Sequence, residues 1–310
     1  MKKRVLVTDL VHDFLIESFE KAGYTVDFIP DITLSESESI IHQYHGAIIN
    51  SKIKANQQWI TKGNQLEFIG RLGSGMEIID VDFARSRSIR VYSAPEGNRN
   101  AVAEHALGML LSLANKLRIG DTMVRTLQWN REAARGFEIE GKTIGIIGFG
   151  NNGSRFAQKL AGMEMQVLAH DKYLKDYTAD FNHVTEAGVE DIQKHCDIIS
   201  LHLPLTQETY HYFDGTFLSK CQKKVILINT ARGKNIHTPT LLKGLQNGSI
   251  LGACLDVFEN EKPESYSKEE EVLYDALFAR DNVILSPHVA GWTMESKYKI
   301  AKTLVDKILK

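Results

Sequence analysis

The chain has 310 residues, 43% hydrophobic and 25% charged, the balance of a soluble globular protein with room for roughly two domains. A formal net charge of −2 gives no electrostatic reason to expect nucleic acid or an anionic membrane as partner. No run approaches the ~20 apolar residues that span a bilayer. Cys196, Cys221 and Cys254 are odd in number and lack metal-ligand spacing, which reads as reduced, buried thiols in a cytoplasmic protein with no metal site.

In chain order, the basic start Met1-Lys-Lys-Arg4 runs into a short apolar stretch that ends before Asp9, so it reads as a strand and not a leader. Strands are expected at Arg4–Thr8, Thr25–Ile29, Ala47–Asn50, Leu66–Gly70 and Ile89–Tyr92. Helices are expected between them at Phe14–Ala22, Ser35–Gln43 and Gln57–Lys62. Such alternation implies an α/β fold with a parallel sheet and helices on its faces. Asn98 or Asn100 is expected to cap a long helix with Val102, Ala106, Leu107, Leu110, Leu111, Ala114 and Leu117 on one side. That stripe is wide for one surface helix and points to burial between domains or subunits, hence to a homodimer.

A second β-α series predicts strands at Thr143–Phe149, Gln166–His170, Asp197–His202, Lys224–Asn229, Gly252–Asp256 and Val283–Ser286. The polar loop after Phe258 ends in the charge run Lys268-Glu-Glu-Glu271, read as solvated surface. The two halves share an architecture without a sequence repeat.

The most specific local signal is Lys142-Thr-Ile-Gly-Ile-Ile-Gly-Phe-Gly-Asn-Asn-Gly153, followed by the run Gln166-Val-Leu-Ala-His-Asp171. Strand, glycine turn, helix, strand and acid in that order form a dinucleotide site. Gly148 permits the tight turn, Gly150 the approach of a pyrophosphate, and Gly153 close packing of helix on strand. The helix's free N–H groups face the phosphates. Asp171 is placed to accept from the adenosine ribose hydroxyls, which favours NAD over NADP. A lone glycine motif is weak evidence; here both flanks and the acid agree.

Ligands of open parallel sheets bind at the carboxyl ends of strands, and three reactive side chains lie just past such ends: Arg232, Glu261 and His288. Taken singly, each has a bland reading: a surface cation, a solvated loop acid, a strand-end histidine. Together beside a dinucleotide site they suggest carbonyl chemistry. The guanidinium can grip a carboxylate by a fork of hydrogen bonds, the imidazole can pass a proton, and the carboxylate can orient the imidazole and favour its charged form.

Nearly the whole chain resembles the NAD-dependent D-isomer-specific 2-hydroxyacid dehydrogenases, with the phosphoglycerate dehydrogenases as the nearest-looking branch. The motifs are Phe68-Ile-Gly-Arg-Leu-Gly-Ser-Gly-Met76, Ala94-Pro-Glu-Gly-Asn98, Val102-Ala-Glu-His105, Gly141–Gly150, Ser200-Leu-His-Leu-Pro-Leu-Thr206, Asn229-Thr-Ala-Arg-Gly233, Gly252–Glu261 and Ser286-Pro-His288. The resemblance implies hydride exchange between NAD(H) and a D-2-hydroxy acid/2-oxo acid pair, with Arg232 binding and polarising substrate and His288 as acid/base paired with Glu261. It implies cofactor contacts from Asn151, Asn152, His202, Pro204, Thr230 and Ala231, with Asp256 beside the nicotinamide carboxamide. Arg71, Ser74 and Gly75 would meet the substrate, the backbone of Gly73-Ser-Gly75 holding its carboxylate.

It also implies a Rossmann cofactor domain, residues 98–286, inserted in a flavodoxin-like substrate domain made of 1–97 and 287–310. Several positions depart from the branch. Met76-Glu77-Ile78 replaces a Val-Asp-Asn-like stretch, and Asn50 stands where an arginine is common nearby, with Arg131 or Arg135 as a substitute cation. Lys262 separates Glu261 from Pro263, and the 310 residues leave no room for the regulatory domain of many phosphoglycerate dehydrogenases. Phosphoglycerate is thus one candidate substrate, and hydroxypyruvate or glyoxylate reduction is the alternative. A dinucleotide-sensing binding protein on the same fold is another, while formate dehydrogenases resemble the chain less, carrying glutamine where Glu261 stands.

Overall fold

The computed structural model describes residues 2–310. The chain divides into two compact units, one running through Arg99 and including Trp292–Lys310, the other Asn100–Gly291.

The first unit begins β1 (Arg4–Val7), α1 (Asp13–Lys21), β2 (Thr25–Phe28), α2 (Leu34–Ile40), β3 (Gly46–Ile49), α3 (Gln57–Lys62), β4 (Phe68–Arg71), α4 (Val81–Ser86) and β5 (Arg90–Ser93). All strands are parallel, in the order β2-β1-β3-β4-β5, the doubly wound arrangement of flavodoxin-like folds. Short polar signals start the helices: Thr33 and Glu36 form a capping box on α2, and Asn56 accepts from the Trp59 N–H at α3.

α5 (Pro95–Ala114) carries the chain from one unit to the other. It starts earlier than the asparagine caps predicted, because Pro95 has the fixed φ and missing N–H suited to a first helical turn. Its stripe also needs correcting. Ala103, Ala106, Met109, Leu110 and Leu113 are buried in one cluster with Ile144, Ile146, Ile226, Ile228 and Cys254, all within the second unit, while Leu117 is 57% exposed. The apolar face therefore covers its own sheet.

The second unit continues with α6 (Leu117–Arg125), β6 (Thr143–Ile147), α7 (Asn151–Lys159), β7 (Gln166–His170), β8 (Val184–Glu186), α8 (Val189–His195), β9 (Ile198–Leu201), α9 (Gly215–Lys220), β10 (Val225–Asn229), α10 (Thr238–Asn247), β11 (Ile250–Leu255), α11 (Lys268–Phe278) and β12 (Val283–Leu285). Its seven parallel strands follow the order β12-β11-β10-β9-β6-β7-β8, a Rossmann order extended by one strand. β6 and β10 are buried at every position, as strands covered on both faces must be. The run Lys268-Glu-Glu-Glu271 is largely exposed, yet it opens α11. Ser267 and Glu270 form a capping box there, and glutamates in a first turn suit the helix dipole.

α12 (Met294–Ile308) then returns to the first unit, where Ala301, Leu304, Val305 and Ile308 pack with Val5, Val7, Ile48 and Phe68. The second division falls after Gly291, later than the expected 287. Residues 286–290 stay with the second sheet because Asp256 accepts from the Ser286 hydroxyl and the Val289 and Ala290 N–H groups. Among the described residues no helix is long and apolar enough to cross a membrane.

Candidate active site

Register puts the second unit's candidates in one row. Ile147 lies opposite both His170 and Leu201, Asn229 opposite Leu201 and Leu255, and Leu255 opposite Leu285. The next residue on each strand is therefore Gly148, Asp171, His202, Thr230, Asp256 and Ser286, aligned along the carboxyl edge of one sheet.

Gly148 has φ +89, and a Cβ there would meet the His202 carbonyl oxygen at 2.5 Å; one on Gly153 would lie 2.0 Å from the Gly148 carbonyl oxygen. Neither position tolerates a side chain. Gly150 has open space around it, and no side chain caps α7, so the N–H groups of Asn151, Asn152 and Gly153 form an anion-seeking terminus. The Asp171 carboxylate is more engaged than the sequence suggested. Its Oδ2 accepts from the Phe149 N–H at 2.9 Å, and its Oδ1 from Tyr173 at 2.9 Å and Leu174 at 3.0 Å. Burial opposes its ionisation, but these three backbone donors outweigh it and hold the pKa below the usual range. Lys172, its neighbour, is paired with Glu208 at 2.9 Å, and the Tyr173 hydroxyl donates to the same carboxylate at 2.6 Å.

Further along the row, burial pushes the His202 pKa down to about 4, leaving a neutral ring 2.9 Å from the Ser200 hydroxyl. Pro204 follows in the exposed turn, its carbonyl accepting from Thr209 at 2.6 Å. Asn152 Oδ1 and Thr230 Oγ1, both buried, lack a protein partner among the described residues. Unpaired buried oxygens at a strand-end row ask for a polar ligand, and together with the open Gly150 and the uncapped helix they fit a dinucleotide.

The turn after β10 is braced by its own asparagine. Asn229 Oδ1 accepts from the Ala231 N–H at 3.0 Å and its Nδ2 donates to the Arg232 carbonyl at 2.9 Å. Gly233 lets this turn touch the loop after β11, since a Cβ would sit 1.8 Å from the Phe258 carbonyl oxygen. That contact brings Arg232 and Glu261 to the same place. Glu261 Oε2 lies 2.8 Å from His288 Nδ1, and Phe258 N–H donates to Oε1 at 3.3 Å. Burial works against the Glu261 anion, yet His288, the Phe258 N–H and Arg232 together lower its pKa. His288 shifts up, chiefly through the hydrogen bond to Glu261 and against desolvation and the Arg232 charge. The imidazole is half exposed, so it is available to a ligand.

His288 sits at φ +56, held by its N–H on the Asp256 carbonyl at 2.7 Å. Asp256 itself is 1% exposed, and its carboxylate accepts from Ser286 Oγ at 2.5 Å, Val289 N–H at 2.9 Å and Ala290 N–H at 2.8 Å. It is first an anchor of the turn that carries His288. His105 Nε2, 2.8 Å from Ser286 Oγ, extends this network and was not foreseen, because nothing in the pattern of α5 marks that ring as facing β12.

In the first unit, Arg71 ends β4 with its guanidinium on Asn50 Oδ1 and the Leu72 carbonyl. Asn50, noted for not being an arginine, thus holds one. Ser74 Oγ donates to Asn98 Oδ1 at 3.1 Å, and Gly75 follows in irregular backbone. Arg135 pairs with Glu132 at 2.7 Å on an exposed turn of the second unit.

Residues 107–290 match the family described as D-isomer specific 2-hydroxyacid dehydrogenase, NAD binding domain. The chain belongs to the D-isomer specific 2-hydroxyacid dehydrogenase family. Among its relatives, a D-3-phosphoglycerate dehydrogenase of Bacillus subtilis is 32% identical over 99% of this chain and 56% of its own length. The chain thus spans about half the length of that relative. A hydroxypyruvate reductase of Thermotoga maritima is 32% identical over 89% of the chain and 87% of the relative. A solved D-lactate dehydrogenase of Aquifex aeolicus, in complex with NAD and lactic acid, superposes with TM-score 0.83 at 26% identity, covering 99% of this chain and 94% of the other. Family membership accounts for the two-sheet architecture and for the NAD-binding character of the second sheet.

Proposed function

We propose that the chain is an oxidoreductase that exchanges a hydride between NAD(H) and a D-2-hydroxy acid/2-oxo acid pair. The Glu261–His288 couple beside Arg232, on the edge that carries the glycine turn, is the observation that supports it. Bound NAD(H) would supply the hydride acceptor or donor. All other duties fall to the chain's own residues. The α7 N–H groups and Gly150 would hold the pyrophosphate, Asp171 the ribose, and Thr230 and Asn152 would gain the partners they lack. His202, Pro204 and Ala231 would line the same edge, with Asp256 keeping the His288 turn in place.

Arg232 would grip the substrate carboxylate and polarise the adjacent carbonyl. Glu261, anionic, requires the N–H of His288 to be on Nδ1, which leaves Nε2 to take the hydroxyl proton in oxidation or return it in reduction. Arg71 and the Ser74-Gly75 backbone are proposed as substrate contacts on the family resemblance alone. The substrate class includes 3-phosphoglycerate as one candidate and glycerate or glycolate as others.

We also infer a homodimer, supported by α6 and the segment after it, where Leu117, Val124, Leu127 and Trp129 are 57%, 53%, 94% and 80% exposed. The three free cysteines support a reducing, cytoplasmic setting. NADH consumption against 3-phosphohydroxypyruvate, hydroxypyruvate, glyoxylate and pyruvate tests the activity. Turnover of at least one is expected; tight NADH binding with no turnover of any would favour a dinucleotide sensor instead.

A further inference from the structure

Glu261 reaches His288 from an exposed loop, and the residue before it is tied on every side. The Asn260 N–H donates to the Tyr274 hydroxyl at 3.0 Å, and its carbonyl accepts from the Tyr266 hydroxyl at 3.3 Å. Its Oδ1 accepts from the Lys262 N–H at 3.0 Å, and its Nδ2 donates to Ser265 Oγ at 3.1 Å and Glu270 Oε1 at 3.3 Å. Both peptide neighbours of Glu261 are therefore fixed. The two tyrosines belong to one aromatic stack. Tyr274 is 3% exposed, parallel to Tyr266 at 4.7 Å and to Phe278 at 5.3 Å, with Phe258 edge-on at 6.2 Å. A hydroxyl buried in such a stack needs a polar partner, and both hydroxyls find theirs on Asn260.

We propose that Tyr274 and Tyr266 are positioning residues that clamp the Asn260 backbone, so that the Glu261 carboxylate stays against His288 Nδ1. This deepens the functional reading above and rests on it for its kinetic consequence. Three charged groups face His288: Asp256 from the end of β11, Arg232 from the turn after β10, and Glu261. Asp256 is locked by Ser286, Val289 and Ala290, and the Arg232 turn by Asn229. Glu261 comes from an exposed loop, and within that loop its side chain accepts a weak 3.3 Å bond from the Phe258 N–H. A movement of about 1 Å would break its bond to His288. The aromatic stack ties that loop to α11, a rigid element.

Tyr274→Phe and Tyr266→Phe in the full chain test the clamp, each keeping the ring and removing one hydroxyl. The His288 titration midpoint by NMR, the pH profile of kcat/KM for reduction, the NADH dissociation constant and the melting temperature are measured together. Expected are a lower His288 midpoint, larger for Tyr274→Phe, and an alkaline limb that moves to lower pH with it. Loss of kcat/KM above neutral pH should be on the order of threefold to tenfold, a fraction of what a general acid contributes, with NADH affinity unchanged. A lowered melting temperature with the His288 midpoint unmoved in both variants would overturn the clamp. A midpoint that falls while the rate profile stays put would support the clamp and refute the acid/base role of His288. If Tyr274→Phe fails to fold, Tyr266→Phe decides alone.

Discussion

At the residue scale, the chemistry depends on which groups are charged, and the hydrogen bonds decide that. His288 binds its proton more tightly than a free imidazole because Glu261 accepts from it. In the proposed mechanism oxidation of the hydroxy acid would need the neutral ring, so its rate should rise as pH passes the His288 pKa; reduction would need the charged ring and should fall there. Glu261→Gln should lower that pKa, moving the acid limb of oxidation and the alkaline limb of reduction to lower pH together, which pH–rate profiles in both directions would show. Cofactor choice is set by the same kind of accounting. Against the cost of burial, three backbone donors hold Asp171 in its anionic form, and the cation beside it, Lys172, is held by Glu208 and Tyr173. NAD should be preferred over NADP, and Glu208→Gln should narrow the preference several-fold by freeing Lys172, an effect kept small by the exposure of the pair. Dissociation constants for the two reduced cofactors would check both statements.

At the element scale, what could be read from the sequence was what periodicity and punctuation encode. Apart from β8, the strands of both sheets were legible to within a residue or two, and the glycine turn was legible because Gly148 and Gly153 answer clashes that any side chain would meet, while Gly150 leaves the approach to α7 open. α4, α6 and β8 were not: α4 and β8 are short, and α6 buries none of its residues, so neither length nor period announces them. α5 was legible as a helix but not in its packing, because an apolar stripe does not say which sheet it covers. Its burial against the second sheet gives a measurable consequence. Leu110 is fully buried, so Leu110→Ala should cost about 2–5 kcal/mol of stability by lost burial and a residual cavity, read from denaturant unfolding. A cost below about 1 kcal/mol would mean that the face is wet.

For the whole molecule, the return of α12 to the first sheet lay outside any local signal, since Leu304 and Ile308 meet Val5 and Phe68 from opposite ends of the chain. Only the family resemblance pointed to it. The catalytic candidates were legible as strand-end residues, while the side chains that hold them, Asn229, Ser286, His105 and Asn260, were not, because their partners are set by tertiary contact. The exposed apolar side chains of α6 and the segment after it give the expectation for assembly: sedimentation at micromolar concentration should show a dimer, and Leu127→Glu with Trp129→Glu should shift it toward monomer. A wild-type chain that sediments as a stable, active monomer would leave those side chains without the proposed partner.

The central claim is that this chain moves a hydride stereospecifically, with His288 handling the proton. Chiral analysis of the product formed from NADH and the best 2-oxo acid of the panel, with His288→Ala in parallel at matched NADH occupancy, tests it most directly. The account predicts the D-hydroxy acid from the wild type and a rate lower by about 10²–10⁴-fold from the variant, with NADH affinity preserved. An L product, or a variant turning over at the wild-type rate, would contradict it.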